Sequence, residues 1–117
     1  MKAALCALLL WALAAPAVAA RAEQARIDAL LAAIESSGCR FERNGSVHSA
    51  GEGAAHLRAK LDRAGDRVQT AVQFIVRIAS ASSQSGESYR VLCAGKPATS
   101  SRQWLEARLA ELIAAGK

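Results

Sequence analysis

The chain has 117 residues, with 15 lysines and arginines against 10 acidic side chains, a formal charge of +5 and only 4% aromatic residues. That length allows one small domain and no more. The modest basic excess suits acidic partners such as lipid headgroups, anionic glycans or acidic protein surfaces, or simply solubility; the few aromatics are not interleaved with the basic residues, which excludes a nucleic-acid-binding surface.

Met1-Lys2 is a short basic start, and Ala3 to Ala15 is an unbroken apolar run containing Leu5, Leu8, Leu9, Leu10, Trp11 and Leu13. Pro16 follows, and then the small residues Ala17-Val18-Ala19 that suit a signal peptidase. This pattern predicts a secretory signal over residues 1–20, cut near 19–22, too short for a transmembrane anchor and absent after processing. Cys6 lies inside the apolar run, away from the cleavage site, so lipoprotein attachment is not expected. Residues 21–117 are then a single periplasmic domain.

Ile27, Leu30, Leu31 and Ile34 fall at i, i+3, i+4 and i+7, predicting a first helix over about Glu23 to Ser36, ended by Gly38. Cys39-Arg40-Phe41-Glu42-Arg43 alternates, Asn44-Gly45 is a two-residue hairpin signal, and Ser46-Val47-His48 is the return strand. Ser49 with Glu52 reads as a capping box opening a second helix with Ala54, Leu57, Leu61 and Ala64 inward. Gly51 and Gly53 weaken its first turn, and Gly65 closes it.

Asp66, with Gln69 as its reciprocal partner, is expected to cap a third helix running to about Ser80. Val68, Ala71, Val72, Ile75, Ile78 and Ala79 share its buried face, which Phe74 and Val76 widen. A serine-rich connection from Ala81 to Ser88 leads into a strand, Tyr89 to Cys93, and Gly95 and Pro97 make a turn. Ser100 or Ser101 caps a last helix carrying Leu105, Leu109, Leu112 and Ile113, with Trp104 beside them. The expected fold is α+β: a small antiparallel three-stranded sheet packed with about four helices, in the order α-β-β-α-α-β-α, with one disulfide.

Cys39 and Cys93 are the two cysteines left after processing, and an even pair in an oxidising compartment reads as one bridge. If their strands pair antiparallel, Phe41 faces Val91, and Cys39, Phe41, Tyr89, Val91 and Cys93 share one sheet face.

Four segments together carry a family resemblance: Ser37-Gly38-Cys39 to Phe41 with Arg43-Asn44-Gly45; His56-Leu57 with Lys60; Phe74-Ile75 through Ala79-Ser80, Ser82-Ser83 and Ser85-Gly86 to Tyr89; and Trp104-Leu105. In their order and spacing, over about Glu23 to Leu112, the chain resembles the YfeK-like family of small exported bacterial proteins of unknown function. Gly51-Glu52-Gly53 departs from the better helix formers expected there. The resemblance implies export and a shared fold, and brings no activity, substrate or catalytic residue.

Candidate chemistry is sparse. His56 and Lys60 lie one turn apart on one helix face, where with Arg43 at the hairpin they suit a phosphate or carboxylate; the bland reading is a solvated face with His56 packed beside the sheet. The hydroxyls of Ser82, Ser83 and Ser85 suit an anion, glycan or peptide, or simply satisfy loose backbone groups of a polar loop. Neither Gly-x-Ser-x-Gly nor Ser-x-x-Lys is present. His48 and His56 are the only histidines, and Asp62 and Asp66 match no calcium loop, so no metal or other cofactor is expected. The expected function is a non-enzymatic periplasmic binding or interaction module using Arg43, His56, Lys60, Ser82, Ser83 and Ser85, its partner an anionic envelope component or a periplasmic protein. The alternatives are a small cell-envelope hydrolase using a loop serine and His56, or an assembly role through the Trp104 side of the last helix.

Overall fold

The computed structural model describes residues 2–117, with side chains from residue 15 onward. Met1 and the side chains of the apolar run to Ala14, which carry most of the expected export signal, lie outside the described residues. The first helix, α1, spans Lys2–Ser36 and so begins far before the expected Glu23. Pro16 sits inside it, flanked by alanines whose helix propensity favours continuation. Residues 15–22 are exposed, and packing starts at the predicted position. There Glu23 accepts a hydrogen bond from the Ala71 N–H (2.8 Å), and Ile27, Leu30, Leu31 and Ile34 are buried as one stripe.

Gly38, at φ 70°, turns the chain out of α1 into β1 (Arg40–Arg43). Asn44 and Gly45 follow at φ 51° and 77°, the doubly left-handed turn that a tight hairpin requires, and β2 (Ser46–His48) returns. Strands β3 (Arg90–Leu92) and β4 (Thr99–Ser100) complete a four-stranded antiparallel sheet in the order β2-β1-β3-β4. The two-residue β4, absent from the sequence expectation, is too short to show an alternation. Phe41 pairs with Val91 in the expected register, and the Cys39–Cys93 disulfide staples β1 to the end of β3.

Helix α2 (Ala50–Ala64) starts at Ser49, whose hydroxyl accepts from the Glu52 N–H. The reciprocal half of the box is missing, because the Glu52 carboxylate turns to His48 instead (3.3 Å). After a 3-10 turn at Gly65–Arg67, the third helix is capped by Thr70 rather than Asp66. It runs as α3 (Ala71–Gln73) and continues in a π-helical turn, Phe74–Ile78. Ala71, Phe74, Ile75, Ile78 and Ala79 point inward, whereas Val72 (60% exposed) and Val76 (44%) face out. Helical spacing allows a five-residue inward stripe there, and Val72 and Val76 fall on the far side of it. Helix α4 (Ser101–Ala114) is capped by Ser100 and buries Leu105 and Leu109, while Ile113 is exposed. Trp104 is half-buried, edge-on to Phe41, with the Arg108 guanidinium over its ring.

Candidate functional site

A cleft of about 210 Å³ opens between the β1–β2 hairpin and α2. Its walls are largely apolar, formed by Phe41, Leu57 and Gly53, with Arg43, His48, His56 and Tyr89 supplying polar groups. Gly53 explains part of this shape. A Cβ there would come within 3.2 Å of the Phe41 ring, so the weak helix former seen in the sequence is what lets α2 close on β1.

Alternation along β1 turns Arg43 to the same sheet face as Phe41, and α2 presents His56 opposite. The Arg43 guanidinium Nη1 lies 3.0 Å from His56 Nδ1 and 3.1 Å from Nε2. His56 Nε2 is 3.3 Å from the Tyr89 hydroxyl oxygen, which accepts a hydrogen bond from Lys60 Nζ at 3.1 Å. Guanidinium and ammonium can only donate. Arg43 Nη1 is nearly equidistant from the two ring nitrogens, so in either neutral tautomer the unprotonated one is within reach to accept from it. With the proton on Nε2 the imidazole donates to Tyr89 and frees the hydroxyl proton for a further acceptor; with it on Nδ1 the hydroxyl donates to Nε2.

Burial first, then the charges of Arg43, Lys60, Arg63 and His48, hold the His56 imidazole below its ordinary 6.5. It is therefore neutral at pH 7. Both acids lining the cleft are already engaged, Glu42 with Arg90 (3.8 Å) and Glu52 with His48 (3.3 Å). Among the described residues, Arg43 has no carboxylate partner, and His48 Nε2 is buried without a hydrogen bond.

The residues singled out in the sequence separate into two groups. Arg43, His56 and Lys60 do belong to one network, but Lys60 is only 7% exposed and does not line the cleft. Its three N–H bonds go to the Ile78 carbonyl (2.7 Å), the Ala81 carbonyl (3.1 Å) and Tyr89. The loop serines stand apart from the cleft. Ser82 is buried, and its hydroxyl accepts from Asn44 Nδ2 and the Gln84 N–H. Ser85 donates to Asn44 Oδ1, so the two clip the loop to the hairpin tip. Ser83 is exposed at the rim of a different hollow. No loop serine is a hydrogen-bond partner of His56 among the described residues. Tyr89 is the residue sequence reasoning failed to place in the site, although its alternation with Val91 put it on the right sheet face.

Among the described residues, no group of three or more His, Cys, Asp or Glu side chains is placed to hold a metal ion, and no helix is long and apolar enough to cross a membrane. Fold and cleft together define a small disulfide-linked α+β domain with one arginine-bearing apolar cleft. The chain belongs to the family of unknown function DUF5329, whose model matches residues 21–113. It is 41% identical over 92 residues to the uncharacterized protein YfeK of Salmonella typhimurium, covering 76% of this chain and 77% of that protein. No solved structure matches it.

Proposed function

We propose that this chain is a periplasmic, non-enzymatic binding module whose cleft takes the acid end of a small, largely apolar ligand. The observation that carries the reading is the Arg43 guanidinium, held by His56 at the edge of apolar walls with no carboxylate of its own among the described residues. An anion there gains a bidentate cation and contact with Phe41 and Leu57. The leader-like N-terminus and the Cys39–Cys93 bridge support export to an oxidising compartment.

Size narrows the ligand. The cleft exceeds the roughly 150 Å³ cavity that holds benzene and falls short of the 300 Å³ or more of drug-sized pockets. A single ring or short chain bearing one carboxylate fits, alone or as the end of something longer. Benzoate and 3-phenylpropionate are the probes, with their uncharged amides as controls. Titration calorimetry should give binding for the acids, little for the amides, and loss of acid binding in Arg43→Gln. Equal binding of acid and amide, or unchanged binding in that variant, refutes the site.

The hydrolase alternative draws no support from the loop. Its serine needs a base within hydrogen-bond reach, and the Ser82 and Ser85 hydroxyls are engaged with Asn44.

A further inference from the structure

A second hollow, of about 350 Å³, shares no lining residue with the cleft and lies where the ends of three helical segments meet. Arg63 comes from the last turn of α2, Arg67 from the 3-10 turn and Arg77 from the π-helical turn, with Ser83 at the rim. Among the described residues, none of the three guanidiniums has a carboxylate within ion-pair distance, although Asp62 and Asp66 are close in sequence. Two of the three are tethered to backbone. Arg67 donates through Nε to the Ala64 carbonyl and through Nη2 to the Arg63 carbonyl, both at 3.1 Å, and Arg77 Nη1 donates to the Arg67 carbonyl.

Each tether uses part of a guanidinium and leaves other N–H groups unspent: Nη1 of Arg67, and Nε and Nη2 of Arg77. The Arg63 side chain makes no hydrogen bond among the described residues, so its whole fork is available. Lys60 also lines the hollow, its ammonium hydrogen-bonded to three protein oxygens and paired with no acid among the described residues.

We infer that the Arg63–Arg67–Arg77 hollow is a phosphate-binding site, separate from the Arg43 cleft. Arginine forks match phosphate oxygens in pairs, and tethering Arg67 and Arg77 in advance reduces the ordering cost of binding. The Ser83 hydroxyl at the rim is placed to add a neutral donor, which gives this loop residue a role that the cleft does not. The same chemistry would recognise a free phosphate or the phosphodiester of a lipid headgroup.

The test is titration calorimetry on the full chain, with its disulfide intact, at low ionic strength. The probes are inorganic phosphate and the water-soluble diester glycerophosphoglycerol. Binding is expected to weaken roughly tenfold in Arg63→Gln, as befits loss of one charged hydrogen-bonding partner, and to remain unchanged in Arg102→Gln, which removes one exposed charge outside both hollows. Arg63 carries no tether, so its replacement leaves the fold's hydrogen bonds intact, and a melting curve checks this. Tighter binding of inorganic phosphate identifies a free phosphate as the source, and tighter binding of the diester identifies a lipid headgroup. No binding of either probe, no loss in Arg63→Gln, or an equal loss in Arg102→Gln overturns the inference.

Discussion

Replacing both Cys39 and Cys93 with alanine should remove about 4 kcal/mol of stability. The two residues are 54 apart in sequence, so the bridge closes more than half of the domain into one loop. The chain-entropy relation for a loop of about that length gives roughly 14 cal/mol/K, or about 4 kcal/mol at 25 °C. The loss belongs mainly to the unfolded state, because Arg40 pairs with Leu92 immediately beside the bridge and holds the strands in register without it. For a domain of about 100 residues, each kcal/mol moves Tm by roughly 4–8 °C, so a fall of about 15–30 °C is expected. Against a typical total of about 5–15 kcal/mol, that is between about a quarter and most of the stability. Thermal unfolding followed by circular dichroism measures this, with reductant added to the parent chain as a second route to the same state. Thiol titration should find no free thiol from the pair before reduction. A fall of less than about 5 °C would refute the reasoning, since the unfolded chain would then have little entropy for the bridge to remove.

Gly51→Ala should raise stability by about 0.5–1 kcal/mol, since it sits in α2 with nothing within 4 Å of its added Cβ; Gly53→Ala should gain less or lose, because Phe41 must move, and paired melting curves separate the two. Lys60→Met should cost about 2–4 kcal/mol, read from urea unfolding, because two carbonyls and the Tyr89 hydroxyl lose their donor while the ammonium's burial cost is relieved; an unchanged midpoint would sink the structural role given to Lys60. The depressed His56 pKa means that the unfolded chain binds more protons in the window below 6.5, so stability should rise with pH through that window and level off above it. Urea midpoints at pH 5 and 7.5 should show a flatter dependence in His56→Gln. Benzoate binding should run the opposite way, tightening as pH falls below 6.5, because a carboxylate beside His56 favours its protonated form.

The parts of this fold that show in the sequence are those set by neighbours along the chain. The Ile27 to Ile34 stripe repeats at helical spacing, Asn44-Gly45 is demanded by two left-handed residues in succession, and strand alternation sets Phe41 against Val91. Lys60 was half legible. Its spacing from Leu57 and Ala64 puts it on the buried face of α2, but an ammonium suggests solvent, and the carbonyls that draw it inward are about 20 residues away. The arginine hollow was not legible at all, because Arg63, Arg67 and Arg77 converge only when the ends of three segments meet. The late start of α3 hid behind a plausible local cap at Asp66, where Thr70 has the better geometry next to the Glu23 contact at Ala71.

The identity of residue 60 links the fold to the cleft. The π-helical turn ends at Ile78, and the chain leaves it without continuing a helix, so the Ile78 and Ala81 carbonyls have to find donors from elsewhere. A hydrophobic side chain from α2 would fill the space and leave both carbonyls unpaired. An arginine has a planar fork suited to a flat acceptor pair, whereas a compact ammonium with three donors can serve two carbonyls and a phenol arranged around it. Lysine meets that requirement, and the third bond fixes the Tyr89 oxygen. Tyr89 in turn is 3.3 Å from His56 Nε2, and Arg43 is 3.0 Å from His56 Nδ1, so the cation at the cleft is positioned by a chain of polar contacts that begins in the core. Polar groups held this way keep their geometry before any ligand arrives, which is the condition for a binding site rather than a merely charged surface.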